Sequence, residues 1–284
     1  MDLENITQSP QLGALVKFHH AAIEKGHSFE FLFKDDIDYV PEYDAIFIRA
    51  TTDPQNATYV VSRLAELHGI PVIDDSQSIV ICCNKVHLYM ILQKHGVPIP
   101  ETFFLKKEEC NMKTAERILH ILGRPAVIKA PTTNFSKHVA RVNDAKNFIK
   151  IARRYFRRSD IIVVQKYIPT DFDWRIGVLN NHVIFGAKYH MVKGFWKIRR
   201  TIGGKVFWGE IEALEIDSIP KKVKKVALAA TKNVGNGLYG VDLKTVNGNV
   251  YVIEVNDNPS IDAGYEDAAN PEIYAKIITY LTGR

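Results

Sequence analysis

The sequence predicts an α/β fold with a parallel sheet near the N-terminus and antiparallel strands in the C-terminal half. The first observation is that helical and strand-like segments alternate up to residue 73, which is typical of a parallel sheet. The second is that short strand-like segments follow one another from Trp174 onward. With 284 residues and 46% hydrophobic content, the chain can bury a core in more than one lobe.

The N-terminal elements begin with a helix over residues 11–25, which follows Ser9-Pro10 and ends at Gly26. Strands are predicted at 29–33, 44–49 and 71–73, and a helix at 58–68. Folds of this type usually open with a strand before the first helix, so we expect that one strand is missing here. An exposed sheet edge needs a cover. We therefore expect a homo-oligomer contact or another polypeptide at this edge.

The remaining elements follow from apolar periodicity and from glycine and proline positions. Helices are predicted at 78–95, 114–122, 144–157, 221–234 and 271–281. Strands are predicted at 102–105, 126–129, 161–165, 174–179, 183–189 and 206–209, before a final hairpin that contains residues 238–243 and 250–255.

The last strand of this hairpin ends in a dense polar cluster. Glu254 and Asn256 are two residues apart and project from the same face of a strand. Asp242 is a lone acid in the preceding strand. Carboxylate and amide oxygens suit Mg²⁺, which keeps water and phosphate as its other ligands. The alternative is a solvated strand end with an Asx turn before Pro259. Asp242 together with Glu254 favours the metal site.

The turn between the two strands decides whether that site can form. A two-residue turn at Asn247-Gly248 pairs Asp242 with Ile253 and turns Glu254 to the opposite face. A three-residue loop, or a bulge, pairs Asp242 with Glu254. The metal hypothesis requires one of these two alternatives.

Composition and charge narrow the classes of protein. The net charge is +5, and the basic stretch over residues 193–200 mixes aromatic and cationic side chains. This pattern suits phosphates or acidic substrates, whereas the modest charge argues against nucleic-acid binding. The three cysteines form no disulfide framework. No leader or membrane-length apolar run is evident, so we expect a cytoplasmic protein that does not bind membranes.

Six short motifs occur along the chain in one order. They are Asn84-Lys85, Val127-Ile128-Lys129, Val164-Gln165-Lys166-Tyr167-Ile168, Phe172-Asp173-Trp174-Arg175, Gly240-Val241-Asp242 and Ile253-Glu254-Val255-Asn256-Asp257-Asn258-Pro259. In this order they resemble the ATP-grasp ligases, and especially the RimK-type carboxylate–amine ligases, a group similar to glutathione synthetase. Residues 256–264 resemble the subgroup that ends in NDNPxIDAG.

The resemblance implies an ATP-grasp fold, in which two α+β lobes hold the nucleotide, behind an abbreviated Rossmann-like domain. It implies domain boundaries at 1–83 for the N-terminal α/β domain, 84–167 for the central lobe and 168–284 for the C-terminal lobe. The cofactors implied are ATP and Mg²⁺ or Mn²⁺. The implied reaction activates a carboxylate as an acyl phosphate, which an amine then attacks.

The resemblance also assigns site residues. It implies metal ligands at Asp242, Glu254 and Asn256. Nucleotide-binding positions are Lys85, Lys129, Ser136, Gln165, Lys166, Tyr167, Ile168 and Asp173. Candidate catalytic cations are Arg175, Lys188, Arg199 and Arg200. The loop over residues 131–138 lacks the glycines that many ATP-grasp enzymes use to close on phosphate, so a hydroxyl such as that of Ser136 would have to substitute.

The expected substrates are an amino acid or peptide, including a protein terminus, with glutamate as the family's common choice. The alternative function is a non-catalytic ATP-binding subunit of a larger assembly. The complete set of Asp242, Glu254 and Asn256 favours the enzyme, because a binding module has little need for all three.

Overall fold

The computed structural model describes residues 9–132 and 138–283. Its helices are α1 (Pro10–Glu24), α2 (Ala57–Leu67), α3 (Ser76–Cys82), α4 (Lys85–Lys94), α5 (Met112–Leu122), α6 (Ala145–Tyr155), α7 (Lys221–Thr231) and α8 (Ile273–Thr282). Its first strands are β1 (Ile46–Phe47), β2 (Val72–Ile73), β3 (Thr102–Lys106), β4 (Ala126–Lys129), β5 (Val139–Val142) and β6 (Ile161–Lys166). They are followed by β7 (Phe172–Leu179), β8 (His182–His190), β9 (Arg199–Ile202), β10 (Lys205–Trp208), β11 (Ile211–Leu214), β12 (Leu238–Val246) and β13 (Asn249–Asn256).

The N-terminal part contains the predicted parallel sheet, reduced to β1 and β2. Ile46 lies opposite Val72 in this pair, between α1 and α2. The predicted strand at 29–33 is wrong, because these residues form no strand pairing within the described chain. A strand needs a neighbour for its backbone groups, and β1 does not pair with this segment.

The predicted helix at 78–95 is two helices, α3 and α4. The reason is Asn84, whose side chain accepts hydrogen bonds from the backbone N–H groups of Val86 and His87 at 3.0 and 3.2 Å. This is an N-cap, which begins a new helix. It makes Lys85 the first residue of α4 and turns its side chain toward the C-terminal sheet.

The central sheet is antiparallel, in the order β3-β6-β4-β5. Helices α5 and α6 cover it and share a core that includes Ile118, Phe148 and Ile162. Strand β5 lies just beyond residues 133–137 and was not predicted from the sequence. Strand β4 is buried along its whole length and ends at Lys129.

The C-terminal sheet has the order β11-β8-β7-β12-β13 and is also antiparallel. Apolar residues such as Trp174 and Ile176 pack with α7 and α4 in one core. Residues that alternate with them carry charges on the other face of the sheet. Strands β9 and β10 form a separate hairpin. Within the described ranges, none of the helices has both the length and the apolar character needed to cross a membrane.

Candidate active site

The register of β12 and β13 combines a two-residue turn with a bulge. Asn247 and Gly248 both have positive φ angles, 48° and 73°, as this tight turn requires. Leu243 lies opposite Val252, but Asp242 lies opposite Glu254, so Ile253 is the extra residue. The bulge therefore restores the pairing that the turn alone would have broken.

The Ile253 carbonyl is held from outside the hairpin. The hydroxyl of Tyr89, in α4, donates a hydrogen bond to it. Tyr89 is fully buried, and burial raises the pKa of its hydroxyl well above the usual value. Tyr89, 164 positions away in sequence, is thus hydrogen-bonded to the bulged residue that sets the register.

Each of the two facing carboxylates is paired with a buried cation. Arg175, opposite Asp242 in β7, donates from Nε to Oδ1 and from Nη2 to Oδ2, the latter at 3.1 Å. Lys85 Nζ lies 2.7 Å from Glu254 Oε1. Burial raises the pKa of Asp242 despite Arg175. Burial also acts to raise the pKa of Glu254, but the charge and hydrogen bond of Lys85 outweigh it, and the pKa is lowered.

The chemistry of this donor set fits a hard divalent cation. Asn256 lies opposite Gly240 and donates from Nδ2 to the Gly240 carbonyl at 3.0 Å and to Asp242 Oδ2 at 3.4 Å. Its Oδ1 can act as a ligand. No group of three or more His, Cys, Asp or Glu side chains suited to a metal occurs in the described part of the chain. Two carboxylates and one amide suit Mg²⁺, since phosphate and water supply the remaining ligands.

Lys129 lies at the buried end of β4. Its Nζ donates to the hydroxyl of Tyr89 at 2.6 Å and lies 5.0 Å from the centre of that ring. Burial lowers the pKa of Lys129 to about 7, and the charges of Lys85 and Lys244 act in the same direction. Tyr89 therefore connects Lys129 to the bulged strand. It was not identified from the sequence, because its helical position looks like an ordinary core residue.

Asp173 lies on the same strand face as Arg175, two residues away. Lys244 Nζ contacts it at 2.6 Å from Oδ1 and donates to Thr170 Oγ1 at 2.6 Å. Lys244 was also missed, although its spacing of two from Asp242 was a usable signal. The structure thus places five charged groups on one sheet face: Asp173, Arg175, Asp242, Lys244 and Glu254.

The predicted adenine segment begins at the end of β6. Gln165 is buried, and its Nε2 donates to Thr102 Oγ1 at 2.9 Å. Lys166 is exposed, and its backbone N–H bonds to the Glu101 carbonyl at 2.9 Å. Ile168 is buried. The Gln165 side chain is therefore engaged with β3.

Tyr167 belongs to a cluster that joins the two sheets. Its ring packs edge-on against Trp196 with 5.9 Å between ring centres. The Arg141 guanidinium lies over both rings, at 5.2 and 4.9 Å. Lys197 Nζ donates to the Val139 carbonyl of β5 at 2.6 Å, and burial lowers its pKa to about 8. The loop between β8 and β9 thereby contacts the central sheet.

The predicted catalytic cations do not all come together. Lys188 lies opposite Trp174, on the face away from Arg175, and pairs with Glu212 at 3.0 Å. Arg200 is in β9, with its guanidinium 5.0 Å from the Phe195 ring centre. The structure therefore does not bring Lys188 to the carboxylates. Ser136 lies outside the described residues.

A cavity of about 480 Å³ adjoins the carboxylates on the side of α1. Its lining includes Arg175, Arg199, Trp208, Arg49 and Asp262. Burial lowers the pKa of Arg49, which donates from Nη1 to Asn258 Oδ1 at 2.6 Å and to the Pro259 carbonyl at 3.0 Å. This contact joins the end of β1 to the segment after β13.

Behind the cavity, a buried acid orients an aromatic side chain. The Tyr189 hydroxyl donates to Glu266, which also accepts from the backbone N–H of Asp262 at 2.8 Å. The Arg175 guanidinium lies 4.9 Å from the centre of the Tyr189 ring. Burial raises the pKa of Glu266 even though these hydrogen bonds lower it.

Two antiparallel sheets meet near the buried Lys129 and the facing carboxylates of Asp242 and Glu254. This arrangement is the one expected of the ATP-grasp class of proteins. The family described as RimK-like ATP-grasp domain matches residues 82–281. The chain therefore belongs to the RimK-like ATP-grasp domain family.

Known proteins resemble the chain over most of its length. A probable alpha-L-glutamate ligase of Legionella pneumophila is 26% identical over 245 residues, covering 85% of this chain and 77% of that protein. The alpha-aminoadipate–LysW ligase LysX of Saccharolobus solfataricus is 25% identical and covers 80% of each. The crystal structure of D-alanine–D-alanine ligase from Bacillus anthracis has a TM-score of 0.70 at 18% identity, covering 97% of this chain and 93% of that one.

A second solved structure is that of a RimK domain ATP-grasp protein from Sphaerobacter thermophilus, with a TM-score of 0.68, 16% identity and 94% coverage of each chain. These comparisons confirm the predicted fold and family. They also confirm the predicted class of enzyme: the chain is an ATP-dependent carboxylate–amine ligase.

Proposed function

We propose that this ligase joins the carboxylate of one substrate to the amine of an amino acid, a peptide or a protein terminus, with Mg²⁺ or Mn²⁺ on the ATP. The observation that carries the proposal is the pairing of Asp242 with Glu254 beside buried Arg175 and Lys85. Facing carboxylates that alternate with cations suit a site that takes both a metal and a polyphosphate.

The metal would be held by Asp242, Glu254 and Asn256, and when bound it supplies positive charge to the phosphates. Lys85 and Lys129 would contact the phosphates as compact point charges. Arg175 is the group that would neutralise the transferring γ-phosphate, since its fork already binds a carboxylate in two places. Arg199 and Arg200 remain candidate contacts for phosphate or for the acyl substrate.

The nucleotide base would lie against residues 165–168. Tyr167 and Ile168 offer ring and apolar contacts, and the backbone of Gln165 and Lys166 offers hydrogen bonds. Asp173 would accept from a ribose hydroxyl once Lys244 shifts toward the phosphates. Ser136, which lies outside the described residues, keeps its proposed phosphate contact.

The reaction would proceed in two steps. A substrate carboxylate oxygen attacks the γ-phosphorus, the bond between the β- and γ-phosphates breaks, and ADP leaves. The amine nitrogen then attacks the acyl carbon, loses a proton and expels phosphate. The protein positions groups and stabilises charge, so no side-chain nucleophile is required.

The cavity beside Arg175 suits the substrates. Arg49 and Arg199 make part of its lining cationic, which supports an acidic amino acid such as glutamate. The names of the relatives, a glutamate ligase and an aminoadipate–LysW ligase, support the same choice. Free thiols at Cys82, Cys83 and Cys110 support the proposed cytoplasmic location. Nucleic acid and membranes are not proposed as partners.

The test is ADP release over a screen of amino-acid pairs, with mass spectrometry of the products. We expect an amide product with at least one pair. Glu254→Gln should abolish its formation, whereas Glu212→Gln, an exposed acid paired with Lys188 on the other sheet face, should not. If the wild type binds ATP but releases no ADP with any pair, the alternative of a non-catalytic ATP-binding subunit is favoured.

A further inference from the structure

Residues 28–33 and β1 lie in one layer between α1 and α2. Phe29 and Phe47 pack against the same core cluster as Phe18 of α1, and Phe47 contacts the Phe18 ring at 4.9 Å between centres. Leu32 packs with Ile46 in the cluster that α2 covers. In β1 the neighbouring residues Ile46 and Phe47 thus turn to opposite sides of the layer, and in residues 28–33 Phe29 and Leu32 do the same, while the other four residues of that segment are exposed.

The backbones of these two segments are nevertheless not paired. Strand β1 bonds to β2 through the N–H groups of Ile46 and Ile48, at 2.9 and 2.6 Å from their acceptors. Successive N–H groups point to opposite edges, so that of Phe47 points away from β2. Within the described residues, the backbone of residues 28–32 makes no backbone–backbone hydrogen bond. At Phe33 the carbonyl accepts from the Asp36 N–H at 2.9 Å, and the N–H donates to Asp36 Oδ2 at 3.2 Å. Among the residues that the structure describes, the edge at residues 28–32 and the Phe47 edge of β1 are therefore both unpaired.

We propose that a β-strand from a separate polypeptide binds at these edges and completes the sheet. Unpaired N–H and C=O groups on extended backbone recognise another extended backbone. Where α1 and α2 cover the faces, beside Phe29 and Leu32, the bound segment must be apolar on both sides. The segment 28–33 sets its length at about six residues, an ordinary strand. This proposal is independent of the ligase reaction.

The charges of residues 28–44, which comprise this segment and the chain that leads from it to β1, favour a basic partner over a second copy of this chain. Residues 28–44 contain Glu30, Asp35, Asp36, Asp38, Glu42 and Asp44, with Lys34 as their single lysine or arginine. A two-fold contact would bring two such acidic surfaces together. A strand with lysine or arginine at its ends would instead be attracted. Phe31 and Phe33, which are 57% and 68% exposed, offer it apolar contact.

Hydrogen exchange of the complete chain, measured by mass spectrometry or NMR, tests whether the two edges are unpaired in the free protein. The amides of residues 29–32 and of Phe47 should exchange rapidly in the free protein. The amides of Ile46 and Ile48 are the internal control and should exchange slowly, because they bond to β2. Equally slow exchange of both sets in the free protein overturns the proposal, since the edges would already be filled.

Binding of a separate strand at these edges is tested with the synthetic peptide Lys-Val-Ile-Val-Leu-Val-Lys as probe. It should bind saturably and slow the amides of residues 29–32 and Phe47. The same peptide with alternate backbone nitrogens methylated should protect these amides less, because one of its two edges can neither donate nor approach a neighbouring strand. Absence of protection by the first peptide, or equal protection by both, overturns the proposal. So does protection that arises from self-association in light scattering, which would identify a second copy as the occupant.

Variants of the chain supply a matched control. Phe31→Pro and Phe31→Ala both remove the aromatic ring, but only proline also removes the backbone N–H. Glu30→Pro and Glu30→Ala likewise both remove the carboxylate, and only the proline variant lacks the N–H. Since adjacent N–H groups point to opposite edges, one of the two proline variants should weaken peptide binding about three- to tenfold, the effect of one hydrogen bond. Both alanine variants should bind the peptide more tightly than that proline variant. Unchanged binding in both proline variants contradicts strand pairing.

Discussion

The ammonium group of Lys129 sits at the buried end of β4, and its altered ionisation sets a measurable proton uptake when ATP binds. Burial lowers its pKa to about 7, so at pH 8 only about a tenth of the free protein carries this charge. An opposite charge at close range raises the pKa of a lysine by about 1–3 units. The triphosphate would then leave Lys129 about half to fully protonated, an uptake of about 0.4–0.9 proton at pH 8.

Titration calorimetry with Mg-ATP, in two buffers of different protonation enthalpy, measures this number. Lys129→Arg keeps the charge but remains protonated throughout, so the uptake assigned to Lys129 should disappear. At pH 6 the proton uptake assigned to Lys129, which is the wild-type value minus that of Lys129→Arg, should fall to about 0.1 proton, because Lys129 is already charged. Lys197, with a pKa of about 8, also titrates in this range and is measured separately as Lys197→Arg. Wild-type uptake that persists in Lys129→Arg at pH 8 refutes the reasoning.

Three further predictions concern stability. The pKa of Lys129 in the folded protein lies below the value of 10.5 for an unfolded lysine, so the unfolded chain binds more protons between these two values. The free energy of unfolding should therefore rise with pH from about 7 to 10. Urea unfolding of Lys129→Met should not show this rise. Tyr189→Phe removes a donor to buried Glu266 and should cost about 1–3 kcal/mol in the free energy of unfolding, whereas unchanged stability would show that the bond contributes little. Gly240→Ala would place a Cβ 2.7 Å from Pro259 Cβ, and we expect a loss of about 1–3 kcal/mol by the same measurement; a melting temperature equal to that of the wild type would contradict this.

The shared face of Glu254 and Asn256 followed from their spacing, whereas the register of their strand with β12 did not. The two-residue spacing of Glu254 and Asn256 predicts a shared face from local geometry alone. Whether Asp242 joins them depended on a bulge, and the turn at Asn247-Gly248 is compatible with either register. The contact from the Tyr89 hydroxyl to the bulged Ile253 comes from a helix 164 positions away. Local pattern contains no information about such a partner.

Two differences between the sequence-based expectations and the structure have the same origin. The apolar segment at 29–33 has strand propensity, but a strand exists only where a neighbour pairs with it. Lys188 was one of several candidate cations for phosphate or for the acyl substrate. Its strand position pairs it with Trp174 on the opposite face, and this pairing partner was not visible in the sequence.

The sequence by itself determined the helices and most strands, the family through its six motifs, and the polar cluster at the end of β13. These depend on periodicity and on residues near one another in the chain. The tertiary structure decided which groups meet: Arg49 with Asn258 across 209 positions, Lys129 with Tyr89, and Lys85 with Glu254. The physical reason is that side-chain periodicity reports which face a residue occupies, whereas an ion pair or a hydrogen bond depends on how distant segments are placed, and only packing sets that placement.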